Sequence, residues 1–281
     1  MNLVKQLVVV VAASLVGNVA VSAVEGSWAL SLVVGVLAAA LALGAYAWVV
    51  RRVERRAPVE VGLTGAGRSL GRGLALGLLM FTTVIAIIAA LGGYRVAGWG
   101  SVPVALTLLG SHAAVATTEE LLFRGLVFRR LEERTGTAVA LVASAVLFGA
   151  IHLVNPAATL WGAIAITVEA GLMLGAVYAA TRTLWLPIGL HLGWNFAAAG
   201  IFGTEVSGGG LPQGLLRGVT SGPTALSGGA FGPEASVITV AAGLALTVVF
   251  LRLAHRRGRL VPRGGRRGPN AAAVEPATAT L

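Results

Sequence analysis

"SWALSLVVGVLAAALALGAYAWVVRR", residues 27 to 52, runs from Ser27 to Val50 without a charged side chain and then stops on two arginines. At about 1.5 Å rise per residue, a helix of that length matches the ~30 Å hydrocarbon core of a bilayer. In lipid each backbone N–H and C=O must find its partner inside the segment, and the alternating pattern of a barrel strand is missing, so the stretch reads as a transmembrane helix. Comparable runs can be drawn at 5–24, 27–50, 73–93, 102–128, 137–154, 159–180, 184–202 and 236–254. The fold expected is all-α, a polytopic membrane protein of about eight transmembrane helices. Helices 1 to 3 fall in residues 1–100, helices 4 to 7 form a core over 101–202, and helix 8 covers 236–254. Residues 203–235, rich in Gly, Ser and Pro, read as a flexible external loop, and 255–281 as a disordered basic cytoplasmic tail.

Composition points the same way. The 281 residues are 56% hydrophobic and only 11% charged, which excludes an ordinary soluble domain. The formal charge of +10 is explained by topology rather than by nucleic acid. With the N-terminus in the cytoplasm, all but two of the 21 lysines and arginines fall on or toward the inner side, the exceptions being Arg95 and Arg217. Both termini are therefore expected in the cytoplasm of a multi-pass cell-membrane protein. The first helix reads as retained rather than as a signal peptide, because its apolar run is longer than a signal core. Cysteine is absent, so thiol chemistry, disulfides and Cys-ligated metals are excluded.

Ionisable residues inside spans are expensive and mark functional sites by default. "TTEELLFRGLVFRR", residues 117–130, places Glu119, Glu120 and Arg124 in the fourth span. Glu120 and Arg124 are four residues apart and can neutralise each other on one helical stripe. Glu119 is turned about 100° away on a 3.6-residue helix and lacks that partner, which suits a general base. His152 lies in the fifth span, with Phe148 one turn earlier to shield its ring. His191 and Asn195 share a stripe in the seventh and can together donate to one oxygen. The heights agree if the fourth and fifth helices protrude by about 12 Å into the cytoplasm. Small residues at Gly171, Gly175, Gly189 and Gly193 allow close helix approach. His112 reads as a hydrogen-bonded packing residue, and Glu169 as a packing carboxyl held neutral.

"EELLFR", "FGAIH" and "HLGWN" resemble the EExxxR, FxxxH and HxxxN motifs of the CPBP family, the type II CAAX prenyl endopeptidases and bacteriocin-processing (Abi) proteins. Three motifs in the family's order on separate helices, over roughly residues 100–200, make the resemblance specific. It implies an intramembrane endopeptidase whose site lies in a cavity open toward the cytoplasm. Glu119 with His152 would activate water, His191 and Asn195 would stabilise the oxyanion, and Glu120, Arg124 and Phe148 would support them. The family is described both as metal-dependent and as using glutamate-based, metal-free hydrolysis. Glu119, His152 and His191 are acceptable ligands for Zn2+ or another divalent metal, although no HExxH occurs, so cofactor dependence stays open. The partners implied are membrane lipids and a peptide or membrane-protein substrate, prenylated in the family's name.

Rival readings are a proton- or ion-coupled transporter, since buried Glu and His also mark pumps, and a non-catalytic immunity or scaffold protein. No internal repeat supports the transporter. "GRSLG", Gly67–Gly71, matches GxSxG but lacks the strand before the nucleophile and any aspartate to orient a histidine.

Overall fold

The computed structural model describes residues 2–264. Helices α1 (Asn2–Ser22) and α2 (Trp28–Val49) form the first pair, and α2 runs on through a π-helical turn to Glu54. Helix α3 (Ala66–Ala90) leads to a short strand β1 (Tyr94–Trp99). Helix α4 (Val102–Glu120) starts on a Ser101 side-chain cap and continues through a π-helical stretch, Leu121–Phe128, into α5 (Arg129–Thr135). Helix α6 (Thr137–Ile151) ends in a 3-10 turn at His152–Val154. Helices α7 (Leu160–Ile166) and α8 (Met173–Thr181) make one rod joined by a π-helical turn, Thr167–Leu172. Helix α9 (Trp185–Asn195) runs on as π-helix to Ile201. Strand β2 (Leu216–Thr220), the short α10 (Thr224–Ser227) and α11 (Val237–Arg256) complete the described chain.

The protein is an all-α polytopic membrane protein. Among the described residues six helices are long and apolar enough to cross a membrane: Asn2–Ser22, Trp28–Glu54, Ala66–Ala90, Thr137–Val154, Leu160–Thr181 and Val237–Arg256. The other two expected spans are present as helices in the bundle. One carries His112 and the paired glutamates, and the other reaches only from Trp185 to Ile201, so neither meets the same test of length and apolarity.

The seam between α3 and α9 fixes the position of the helix that carries His191 and Asn195. The two helices cross with glycines on both sides. A methyl group at Gly73 or Gly77 would lie 2.3 or 2.2 Å from the carbonyl oxygens of Leu186 or Leu190, and one at Gly189 or Gly193 would lie 2.2 or 2.3 Å from those of Leu70 or Leu74. Only hydrogen fits at these four places, so the backbones touch and the register of α9 is locked. Phe81 of α3 packs edge-on against Trp194 at 4.9 Å between ring centroids, a geometry aromatic quadrupoles favour.

The arginine-rich end is held by ion pairs. Arg56 bonds Glu54 at 2.6 Å and Glu60 at 2.8 Å, Arg129 bonds Glu54 and Glu133, and Arg182 bonds Glu132. Burial works against the charge on Arg56, yet the Glu60 carboxylate holds its pKa above the ordinary arginine value. Gln6 of α1 also donates to Glu54, tying the first helix to this network.

Two expectations need correction. Residues 203–235 are not a free loop: β2 pairs antiparallel with β1, with Tyr94 opposite Thr220 and a bulge between Val96 and Gly98. Phe231, Ala235 and Glu234 are buried, because the segment folds back and packs on α7. The tail also begins later than expected. α11 extends to Arg256, and Val261 exchanges hydrogen bonds with Thr137, accepting from its N–H at 2.9 Å and donating to its hydroxyl at 2.8 Å. Residues 265–281 lie outside the described residues, and with them the rest of the expected tail.

Candidate active site

Helical spacing sets out the first pair. Arg124 donates from Nη1 to Oε1 of Glu120 at 2.7 Å, and both side chains are buried. Its other terminal nitrogen crosses to the carbonyls of Ala170 at 3.0 Å and Gly171 at 3.2 Å, in the π-helical turn between α7 and α8. The guanidinium also lies 4.5 Å from the centre of the Phe148 ring, so its charge meets a carboxylate, two carbonyls and a π face. Such turns recur at functional sites, and here one follows Glu120, one contains Glu169 and one follows Asn195.

His191 joins the two glutamates. Its Nδ1 lies 3.0 Å from Oε1 of Glu120, and its Nε2 lies 3.8 Å from Oε2 of Glu119. An ionised carboxylate only accepts, so Nδ1 carries the hydrogen toward Glu120. The Glu119 side chain keeps 21% of its surface exposed while Glu120 keeps none. Adjacent carboxyls thus occupy different environments, one neutralised by Arg124 and the other open.

His152 starts the 3-10 turn that closes α6. Its Nδ1 donates to the Phe148 carbonyl at 2.7 Å. A carbonyl can only accept, so on a neutral ring the lone pair is left on Nε2. The Phe148 ring lies 4.9 Å from the His152 ring and 6.1 Å from the His191 ring, between the two imidazoles and the guanidinium.

A cavity opens beside these groups. Its polar wall is His152, Glu169, His191, Asn195, Ser207 and Glu234. It offers about 20 Å³ to water, above the ~10–15 Å³ that one molecule requires. Glu119 is not part of this wall and meets the group through His191. Glu234 accepts from Trp194 Nε1 at 2.8 Å and from the Ser207 hydroxyl at 2.8 Å, and Asn155 donates to the Ser207 carbonyl at 2.7 Å. Burial raises the pKa of Glu234 above the ordinary value of 4.5, with the bonds from Ser207 and Trp194 opposing it.

Residues 101–197 match the type II CAAX prenyl endopeptidase Rce1-like family. The matched segment begins at the Ser101 cap of α4 and ends just past Asn195, so this Rce1-like region encloses Glu119, Glu120, Arg124, Phe148, His152, His191 and Asn195. No curated protein and no solved structure matches the chain. Among the described residues no three His, Asp or Glu side chains gather as ligands for one metal ion, and Glu119, His152 and His191 do not form such a set.

One residue differs from its sequence reading, and two were not foreseen. His112 is buried with neither ring nitrogen bonded among the described residues, so it is not the hydrogen-bonded packing residue expected. Glu169 is buried with both carboxyl oxygens unpartnered among the described residues, and a methyl group built on Gly243 of α11 would lie 2.4 Å from its Cα. Ser207 and Glu234 lie outside the Rce1-like region in a stretch whose composition reads as loop. The one signal was an acid beside apolar Phe231 and Ala235.

Proposed function

We propose that this protein is an intramembrane endopeptidase in which Glu119 activates the attacking water. The observation that carries the reading is the pair of contacts around His191, with Glu120 held on Nδ1 at 3.0 Å and Glu119 spaced 3.8 Å from Nε2. That spacing is too long for a direct hydrogen bond, so the Glu119 carboxylate is left free to accept from a water. The match of residues 101–197 supports the reaction class.

Glu119, the open carboxylate, takes a proton from water as its oxygen attacks the scissile carbonyl. With Nδ1 turned to Glu120, Nε2 of His191 faces the Glu119 side, and when the ring is protonated it donates to the oxygen that gains charge. Asn195, one helical turn on, adds its amide N–H to the same oxygen. His152 presents its Nε2 lone pair to the cavity and orients the water there. Glu120 and Arg124 fix His191, because Oε1 of Glu120 receives both bonds. The tetrahedral intermediate then collapses, the C–N bond breaks, and the leaving amine takes up the proton that Glu119 received from water. The substrate is a peptide or membrane protein within reach of a cell-membrane site, and lipids surround the apolar faces of the spans.

The test is cleavage of a peptide library by wild type and Glu119→Gln reconstituted in liposomes. Cleavage by wild type and its loss in Glu119→Gln are expected, and equal cleavage by both would overturn the assignment. Proton flux without cleavage would favour a transporter. Metal content and chelation of the purified protein decide whether an ion takes part.

A further inference from the structure

Helix α11 has two sides. Thr239, Gly243, Thr247 and Ala254 are buried, and at Gly243 the helix touches the backbone of Glu169. Elsewhere on its surface Leu244, Val248 and Val249 are exposed. Residues four apart share a helical face, so the stripe of Leu244 and Val248 continues into Arg252 and Arg256 in the last turns of this span. The outer surface therefore changes from apolar to cationic along one line.

That line ends in a second cavity. Leu251, Arg252, His255, Arg256 and Leu260 enclose about 310 Å³, far above the ~10–15 Å³ that one water requires. It shares no lining residue with the cavity beside His191. Other arginines are matched by acids, Arg56 by Glu54 and Glu60, Arg129 by Glu133, and Arg182 by Glu132. Arg252, His255 and Arg256 make no ion pair or side-chain hydrogen bond among the described residues. The chain just beyond α11 adds positive charge instead of acceptors, since Arg257 and Arg259 both donate to the Ala180 carbonyl. Burial, and then the guanidiniums of Arg257 and Arg182, hold the pKa of Arg259 below the ordinary arginine value.

An unmatched cationic pocket beneath an exposed apolar stripe is complementary to an anion tethered to hydrocarbon. Basic side chains at the end of a span attract anionic lipid, and their stems lie along apolar surface while the charge reaches the interface. A free anion would leave the stripe unused, and a zwitterionic lipid would bring its own cation to the arginines. We propose that this pocket holds the phosphate headgroup of an anionic glycerophospholipid, with its acyl chains along Leu244, Val248 and Val249. Arg252 and Arg256 supply charge-assisted bonds to the phosphate oxygens, and His255 adds a ring nitrogen. The site stands apart from the peptidase reading and does not depend on it.

The full chain, purified in uncharged detergent, would be titrated with phosphatidylglycerol, with phosphatidylcholine of the same acyl chains, and with inorganic phosphate. The unfolding midpoint and the lipid retained in native mass spectrometry would be followed. Saturable retention of phosphatidylglycerol with a raised midpoint is expected, and neither other probe should match it. An equal effect of phosphatidylcholine would reduce the site to an apolar sleeve, and an equal effect of phosphate would make it a free-anion site. Either result overturns the proposal. The double variant Arg252→Gln, Arg256→Gln should bind phosphatidylglycerol about 30-fold more weakly, with its midpoint in phosphatidylcholine unchanged. The double variant Arg51→Gln, Arg52→Gln, at exposed positions outside the pocket, should keep wild-type binding. Equal losses in the two double variants would mean general surface charge and would also overturn the proposal. The comparison of the three probes on wild type decides the matter even where a variant does not fold.

Discussion

Oε1 of Glu120 receives two bonds, from Arg124 at 2.7 Å and from Nδ1 of His191 at 3.0 Å, so one buried oxygen couples the ion pair of α4 to the imidazole of α9. Removing one partner of a buried pair leaves the other charge unpaired in a low dielectric, which costs about 3–5 kcal/mol. Glu120→Ala is expected to lower the unfolding midpoint in detergent and to abolish cleavage, since His191 loses its anchor as well.

Glu119 should behave differently although it is the adjacent residue. It is partly exposed, and its approach to His191 is a loose 3.8 Å, so its loss should change stability by less than about 1 kcal/mol. Cleavage by Glu119→Gln should fall by about 10²- to 10⁴-fold, the usual contribution of a general base. Parallel melting and kinetic measurements on the two variants separate bracing from chemistry.

Glu169 has both carboxyl oxygens buried without a partner among the described residues. Replacing such a group with an apolar side chain of similar volume relieves the desolvation cost of about 1–3 kcal/mol. Glu169→Met is expected to raise the unfolding midpoint. A fall would mean that the carboxyl has a partner, such as an ordered water, in the folded protein.

Glu234 gives the stability of the fold a pH dependence. Burial raises its pKa in the folded state, so the fold binds this proton more tightly than the unfolded chain does. Its contribution to stability is present in full below the unfolded value and is lost as pH rises through the raised one. The wild-type midpoint should therefore fall over that interval more than the midpoint of Glu234→Gln, as followed by thermal unfolding at several pH values.

At the α3–α9 seam, Gly193→Val would bring a Cβ to 2.3 Å from the Leu74 carbonyl oxygen unless the helices part. Overpacking of this kind costs about 1–3 kcal/mol. Because α9 also carries His191 and Asn195, cleavage should fall further than the melting midpoint suggests, and a comparison of both readouts tests it.

Much of the site could be read from residue order alone. The four-residue spacing of Glu120 and Arg124 put them on one stripe, and the same spacing set Phe148 beneath His152 and His191 beside Asn195. The glycines of α9 signalled a close contact, although their partners Gly73 and Gly77 became visible only with both helices in place. Ser207 and Glu234 were hidden by composition, because a Gly-, Ser- and Pro-rich stretch carries no periodicity to reveal a buried face. His112 was misread because helical spacing places a side chain on a face without saying whether a partner stands opposite.

The sequence by itself determined the membrane class, the helical conformation and the local pairs, since bilayer thickness and the 3.6-residue period act within a single segment. Only the tertiary structure decided that His191 stands between Glu119 and Glu120, that Glu169 is buried away from any described partner, and that Ser207 and Glu234 line the cavity. Those relationships join residues far apart in the chain, and they follow from how helices pack at glycine seams, which no local pattern encodes.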